Sequence, residues 1–148
     1  MRIDKLTSKF QEALADAQSL ALGKDNAYIQ PEHLLAAMLQ QEDGPRALLQ
    51  RAGVNVKGLL AWAESARNPM PHVRGHEQVQ PGPDLVKLLQ ATEKEAIKRG
   101  DQFIASELYL LACADAKGTM GDIARENGLT RKSLEAAIDA VRGGQNVD

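Results

Sequence analysis

Cysteine, histidine and carboxylate side chains are the residues in this sequence whose types could do chemistry. Cys113 lies in the apolar stretch 108–114 with no neighbouring base to activate it, so a buried and inert thiol is expected. His72 and His76 lie in a proline-rich segment, and neither they nor His33 are spaced like metal ligands. The sequence therefore favours a binding protein over an enzyme or a metalloprotein.

Two glutamates occupy matching positions of an internal repeat. Residues 28–37 (YIQPEHLLAA) return 75 residues later as residues 103–112 (FIASELYLLA). Each copy leads into a helix and places Glu32 or Glu107 in its first turn, where the helix dipole favours a carboxylate. With no gap, eleven of the 58 residues from Phe10 to Arg67 are identical to the residue 75 positions further on. The chain is therefore a tandem repeat.

Helical periodicity, Gly and Pro stops and Thr or Asn caps predict an all-α fold of eight helices in two pseudo-symmetric four-helix repeats. The two repeats are expected to pack face to face, because either alone would leave an apolar face in water. The predicted domain is 1–142, with repeat 1 at about 7–67, a linker at 68–82 and repeat 2 at about 83–142. Residues 143–148 are predicted to begin a linker to a further domain.

Composition limits the classes of partner. The net charge is −2 and the pI about 5.9, so the chain has no global attraction to nucleic acid or to anionic membranes. One Cys allows no internal disulfide, and neither a secretory segment nor a long apolar run is present. A soluble, cytoplasmic protein is expected, with neither nucleic acid nor a membrane as its partner.

A helix-turn-helix is the main rival interpretation. Residues 123–134 place Arg131 and Lys132 at the start of a second helix, where a base-reading helix would carry them. The equivalent segment 48–59 of the first repeat has little positive charge, which favours an ordinary helix-loop-helix. DNA binding is kept as the less favoured alternative.

Several short motifs together resemble those of the Clp N-terminal repeat family, and most closely its disaggregase members. The motifs are RIDKLT at 2–7, FQEAL at 10–14, PEHL at 31–34, RGD at 99–101, FI at 103–104 and SEL at 106–108. The resemblance implies a mobile N-terminal domain on a hexameric, ATP-driven ring that threads misfolded or aggregated polypeptides through its pore. It also implies an Hsp70-type co-chaperone system as a further partner.

The same resemblance assigns the motor, with its ATP and Mg, to a part of the parent protein outside this chain. No Gly-x-x-x-x-Gly-Lys-Ser/Thr phosphate loop occurs here, so no cofactor is expected for these residues. The alternative within the family is a domain that docks adaptors for a Clp protease ATPase.

The resemblance also implies which polar residues act. Thr7, Asp101 and Glu107 match family positions linked to chaperone action. Related proteins use Thr and Glu pairs to hold adaptors or cationic tags, which implies Thr7 with Glu32, and position 82 with Glu107. Position 82 is Gly and lacks the hydroxyl. For an apolar groove that would receive clients, the candidates are Leu85, Leu88, Leu89 and Leu108.

Overall fold

The computed structural model describes residues 1–67 and 79–148. Within these ranges the predicted all-α fold is confirmed, with eight helices in two matching sets of four. A short 3-10 helix, Ile3–Lys5, precedes them. The helices are α1 Ser8–Gly23, α2 Pro31–Gln40, α3 Arg46–Arg51, α4 Val56–Arg67, α5 Pro83–Arg99, α6 Ser106–Asp115, α7 Thr119–Glu126 and α8 Arg131–Arg142.

Local sequence explains where these helices begin. The Thr7 hydroxyl accepts a hydrogen bond from the Phe10 N–H at the start of α1, over 3.3 Å. The Thr130 hydroxyl does the same for Ser133 at the start of α8, over 3.1 Å. Each bond satisfies a helix N–H that has no partner within the helix. Proline stands in the first turn of α2 and of α5, where its missing N–H costs nothing.

The segment that precedes the first helix of each repeat, here its entry segment, pairs with the other repeat. Strand β1, Tyr28–Ile29, lies parallel to β2, Gln80–Pro81, and Ile29 is paired with Pro81. Leu6 forms a matching parallel bridge with Ile104, and adding or subtracting 75 converts one pair into the other. The segment before each repeat's first helix therefore pairs with the loop of the other repeat. Sequence patterns did not predict this exchange.

Part of the predicted linker belongs to this exchange. Residues 68–78, including His72 and His76, lie outside the described residues. Val79 is buried, and the N–H of Gly82 donates to the Ile29 carbonyl over 2.9 Å. Residues 79–82 are thus held on the body of the fold by repeat 1.

Helices α2 and α6 form the centre of the core. In each of them eight of ten residues are buried, so these two helices are enclosed by the others. The Tyr109 hydroxyl in α6 donates to the Pro31 carbonyl in α2 over 3.0 Å. The Tyr109 ring meets Phe10 edge to face, with centroids 6.3 Å apart. The apolar faces of the two repeats thus cover one another.

Gly128 shows how closely the repeats approach. Gly53 and Gly128 are repeat equivalents with φ of +82° and +84°. A Cβ on Gly128 would lie 2.9 Å from the Gly53 carbonyl oxygen, whereas a Cβ on Gly53 would meet nothing within 4 Å. Of these two equivalent positions, Gly128 is the one that the other repeat closes to a side chain.

Replacing Gly128 with Ala is expected to lower the free energy of unfolding by about 2 kcal/mol, through the positive φ and the clash together. Gly53→Ala is the matched control, because it has the same backbone penalty without the clash, and should cost about 1 kcal/mol. Urea unfolding measures both. Equal losses would show that the repeats do not meet at this point.

Candidate polypeptide-binding site

An apolar groove, here the axial groove, lies between α1 and α5. Its volume is about 290 Å³. It is lined by Met1, Ile3, Leu6, Leu14, Pro81, Val86, Leu89 and Gln90. Two pairs among these, Leu6 with Pro81 and Leu14 with Leu89, are repeat equivalents, so the groove lies on the pseudo-twofold axis. The exposed fractions of Met1, Ile3 and Val86 are 44%, 65% and 40%, which leaves apolar surface open to a ligand.

A second groove, here the lateral groove, lies on the other side of the N-terminal segment. Its volume is about 350 Å³. It is lined by Arg2, Lys5, Glu93, Ala96, Ile97, Asp101, Gln102 and Ile104. Ile97 is 72% exposed and is an apolar side chain that a ligand could cover. Charges of both signs stand around it, which suits peptide backbone as well as apolar side chains.

A buried ionic cluster supports the wall of the lateral groove. Arg142, at the end of α8, donates to Asp101 over 2.9 Å and to Glu107 over 3.0 Å. The Asp101 side chain is fully buried, and 12% of the Arg142 side chain is exposed. Nearby, the N–H of Thr7 donates to the Ile104 carbonyl over 3.0 Å. The predicted residues Thr7, Asp101 and Glu107 therefore lie around one loop, 101–107.

A third groove, of about 300 Å³ between α5 and α6, carries an ion-pair network on its rim. Arg131 bonds Asp115 over 2.7 Å, Glu95 over 3.0 Å and Glu135 over 3.2 Å. Arg99 also pairs with Glu95 and Glu135. Because three carboxylates hold the Arg131 guanidinium, it is not presented to a DNA base, which counts against the helix-turn-helix.

Glu95 provides a test of this network, because its hydrogen bond from Arg131 lowers the pKa of the carboxyl below the ordinary 4.5. Glu95→Gln is expected to lower the free energy of unfolding by about 1.5 kcal/mol at pH 7. A lowered folded-state pKa contributes stability above the unfolded value that is lost as pH falls. The difference between Glu95→Gln and the parent chain should therefore shrink below about pH 4.5. Urea titrations at several pH values measure it, and a constant difference would contradict the account.

The Clp repeat (R) N-terminal domain model matches residues 5–127. The chain belongs to the Clp N-terminal repeat family. Chaperone protein ClpB of Vibrio cholerae is 45% identical over all of this chain. The alignment covers 18% of that relative, so the chain spans less than a fifth of its length.

Solved structures of Clp N-domains share the fold. The Hsp104 N-terminal domain from Candida albicans has a TM-score of 0.82 at 21% identity, with 97% of this chain and 95% of that chain covered. A ClpV N-domain, solved as a complex with a VipB peptide, has a TM-score of 0.71 at 23% identity, with 97% and 90% covered. Identities this low show the fold alone.

Within this Clp N-domain, the exchange of entry segments changes the expected pairing of polar residues. Thr7 lies against Ile104, three residues before Glu107. Gly82 lies against Ile29, three residues before Glu32. Because each segment crosses to the other repeat, Thr7 lies beside the loop that leads to Glu107 and Gly82 beside the loop that leads to Glu32. The prediction had placed Thr7 with Glu32 and position 82 with Glu107.

Glu32 is the glutamate that the crossed arrangement assigns to position 82 in this Clp N-domain. Burial raises the pKa of its carboxyl, and the nearby Asp84 carboxylate raises it further. Gly82 offers no hydroxyl, and a Cβ there would lie 3.1 Å from the Gln30 side chain. The electrostatic environments of Glu32 and Glu107 therefore differ, since Glu107 forms an ion pair with Arg142.

The four predicted groove leucines divide into two classes. Leu85 and Leu108 are completely buried, so the structure corrects their assignment: they belong to the core and no ligand reaches them. Leu89 lines the axial groove and Leu88 the α5–α6 groove, and both are half-buried. Helical spacing alone could not separate these classes, because α5 is covered on more than one face.

Sequence reasoning missed the N-terminal contribution to the Clp N-domain grooves. Met1 and Ile3 line the axial groove, and Arg2 and Lys5 line the lateral one. Isolated apolar residues before a first helix give no periodic signal. An available indication was the apolar Ile3 between the charged residues Arg2 and Asp4.

Other chemistry finds no support among the described residues. Burial raises the pKa of the Cys113 thiol to about 12, so the reactive thiolate is absent at neutral pH. In ranges 1–67 and 79–148, no three His, Cys, Asp or Glu side chains come together as metal ligands would. Among these same residues no helix is both long and apolar enough to cross a bilayer.

Proposed function

We propose that this chain is the client-binding N-terminal domain of a ClpB-like disaggregase, and that it recognises exposed apolar segments of misfolded or aggregated polypeptides. The observation that supports this most is the axial groove, where exposed Met1, Ile3 and Val86 surround the half-buried Leu89. Folded proteins hide their apolar side chains, so a groove of this kind selects unfolded segments.

The shape of the grooves suits weak and general binding. Both the axial and the lateral groove are open to solvent along one side and hold only a few side chains, so little area is buried per contact. Several copies on a hexameric ring would raise the effective affinity without tighter individual sites. Weak sites also let a client pass on to the ring.

The remaining functions belong to the parent protein in this proposal. ATP and Mg would be bound by its motor, which would supply the force for threading, and an Hsp70-type system would cooperate with it. The protease-docking alternative has less support, since the curated relatives at 34–45% identity are ClpB proteins. The peptide bound to the ClpV N-domain supports peptide binding as a property that this fold can carry.

The test compares one polypeptide in two states. Fluorescence anisotropy should show binding of this chain to a permanently unfolded variant of a model protein, and none to its native form. A DNA duplex is the parallel sample and should not bind. Equal binding to both protein states, or binding to DNA alone, would contradict the proposal.

A further inference from the structure

The C-terminal segment folds back onto the loop that lines the lateral groove. The Val147 N–H donates to the Asp101 carboxylate over 3.1 Å. The Val147 carbonyl accepts from the N–H groups of Gln102, over 2.8 Å, and Phe103, over 3.1 Å. Three hydrogen bonds therefore hold Val147, which lies within the segment 143–148 that is predicted to begin a linker.

The opposite side of the same loop is already paired. The Ile104 N–H donates to the Lys5 carbonyl over 2.7 Å, and the Ile104 carbonyl accepts from Thr7 over 3.0 Å. The loop thus runs between the N-terminal segment and Val147, as a middle strand runs between two neighbours. One side of the loop is therefore paired with the segment that leads into α1, and the other side with Val147 of the C-terminal segment.

Exposure differs along the C-terminal segment that carries Val147. Val147 is half-buried, while the neighbouring residues 143–146 and 148 are exposed. Gly143 and Gly144, with φ of +56° and +86°, turn the chain back towards the loop. Because the residues of this segment other than Val147 are exposed, its release gives up little buried surface, which favours local opening.

We infer that Val147 occupies, as an internal substitute, a site for the extended backbone of a client polypeptide. Gln102 and Phe103 supply two backbone donors and Asp101 supplies a carboxylate acceptor, which together match the unpaired N–H and C=O of an extended segment. Pairing of this kind reads backbone and not sequence, as a general chaperone requires. The inference rests on the proposed client-binding function and adds a second mode of recognition.

The position of the site links it to the lateral groove. Asp101 and Gln102 line that groove, so a client strand paired with the loop would have neighbouring apolar surface at Ile97. Binding of a client would release the C-terminal segment. Conversely, the docked segment competes with clients. The apparent affinity of the site for clients is therefore its intrinsic affinity multiplied by the fraction of time that the site is free.

The test uses Val147→Pro, which removes the N–H that bonds Asp101. Asp148→Pro is the matched control, because the N–H of Asp148 makes none of these three bonds. The probe is a short capped peptide of alternating Val and Ser, and the same peptide N-methylated at its central Val is its control. Val147→Pro should bind the probe on the order of fivefold more tightly than the parent chain. Asp148→Pro should bind the probe as the parent chain does. N-methylation of the probe should weaken its binding.

Amide NMR on the parent chain gives the second readout. Saturation with the probe should release Val147, while the Gln102 and Phe103 amides stay protected from hydrogen exchange. If the parent chain and Val147→Pro bind the probe equally and Val147 stays in place at saturation, this inference is wrong and the proposed function stands. If neither chain binds the probe or an unfolded polypeptide, both are wrong.

Discussion

Replacing Arg142 with Gln is expected to lower the free energy of unfolding by about 3 kcal/mol, the largest loss expected of any single ionic substitution in this domain. Arg142 bonds both Asp101 and Glu107, and the Asp101 side chain is fully buried. Glutamine would leave that carboxylate without its cation in a place where water cannot replace it. Urea unfolding followed by circular dichroism measures the loss.

Arg2→Gln is the control for Arg142→Gln. Arg2 pairs with Asp4 at 2.7 Å, but these side chains are 74% and 62% exposed, so its removal should cost less than about 1 kcal/mol. Arg142→Lys should recover only part of the stability, because one ammonium cannot reproduce the two directed bonds of the guanidinium. Losses of equal size for Arg2→Gln and Arg142→Gln would contradict the role given to the buried cluster.

The double substitution Ile3→Asp and Val86→Asp is expected to weaken binding of an unfolded polypeptide at least tenfold, or about 1.4 kcal/mol. Both side chains are exposed, at 65% and 40%, so the fold should be kept. They line the axial groove, and a carboxylate there would lose its water when a client covers it. Anisotropy titration against the unfolded polypeptide measures the change.

Val141→Asp provides the comparison for this double variant. Val141 is 62% exposed, lies on α8 and is not among the residues that line the axial groove. It makes the same apolar-to-acidic change, and binding should stay within about twofold of the parent chain. A comparable loss in both variants would mean that net charge, and not the groove, governs binding.

The helices could be predicted from sequence because their signals are local. Prolines in the first turns of α2 and α5, glycines after the last turns, and Thr7 and Thr130 as caps all act within a few residues. The repeat offset of 75 residues also indicated that the two halves would be equivalent. These features were enough for the fold class.

The site was less predictable because it depends on contacts that are distant in sequence. The pairing of Leu6 with Ile104, and of Ile29 with Pro81, is set by packing of the two repeats. That exchange decides which Glu each cap residue approaches. Likewise, only tertiary packing distinguishes buried Leu85 from half-buried Leu89 on the same helix.

A two-dimensional NMR titration of the isotope-labelled chain with an unfolded, aggregation-prone polypeptide tests the claim that this chain binds unfolded polypeptides through its grooves. We expect amide shifts at Ile3, Val86, Leu89 and the 101–104 loop, and none in a parallel sample with a DNA duplex. Shifts at Arg131 and Lys132 with DNA, and silence with the polypeptide, would contradict the claim and favour the helix-turn-helix.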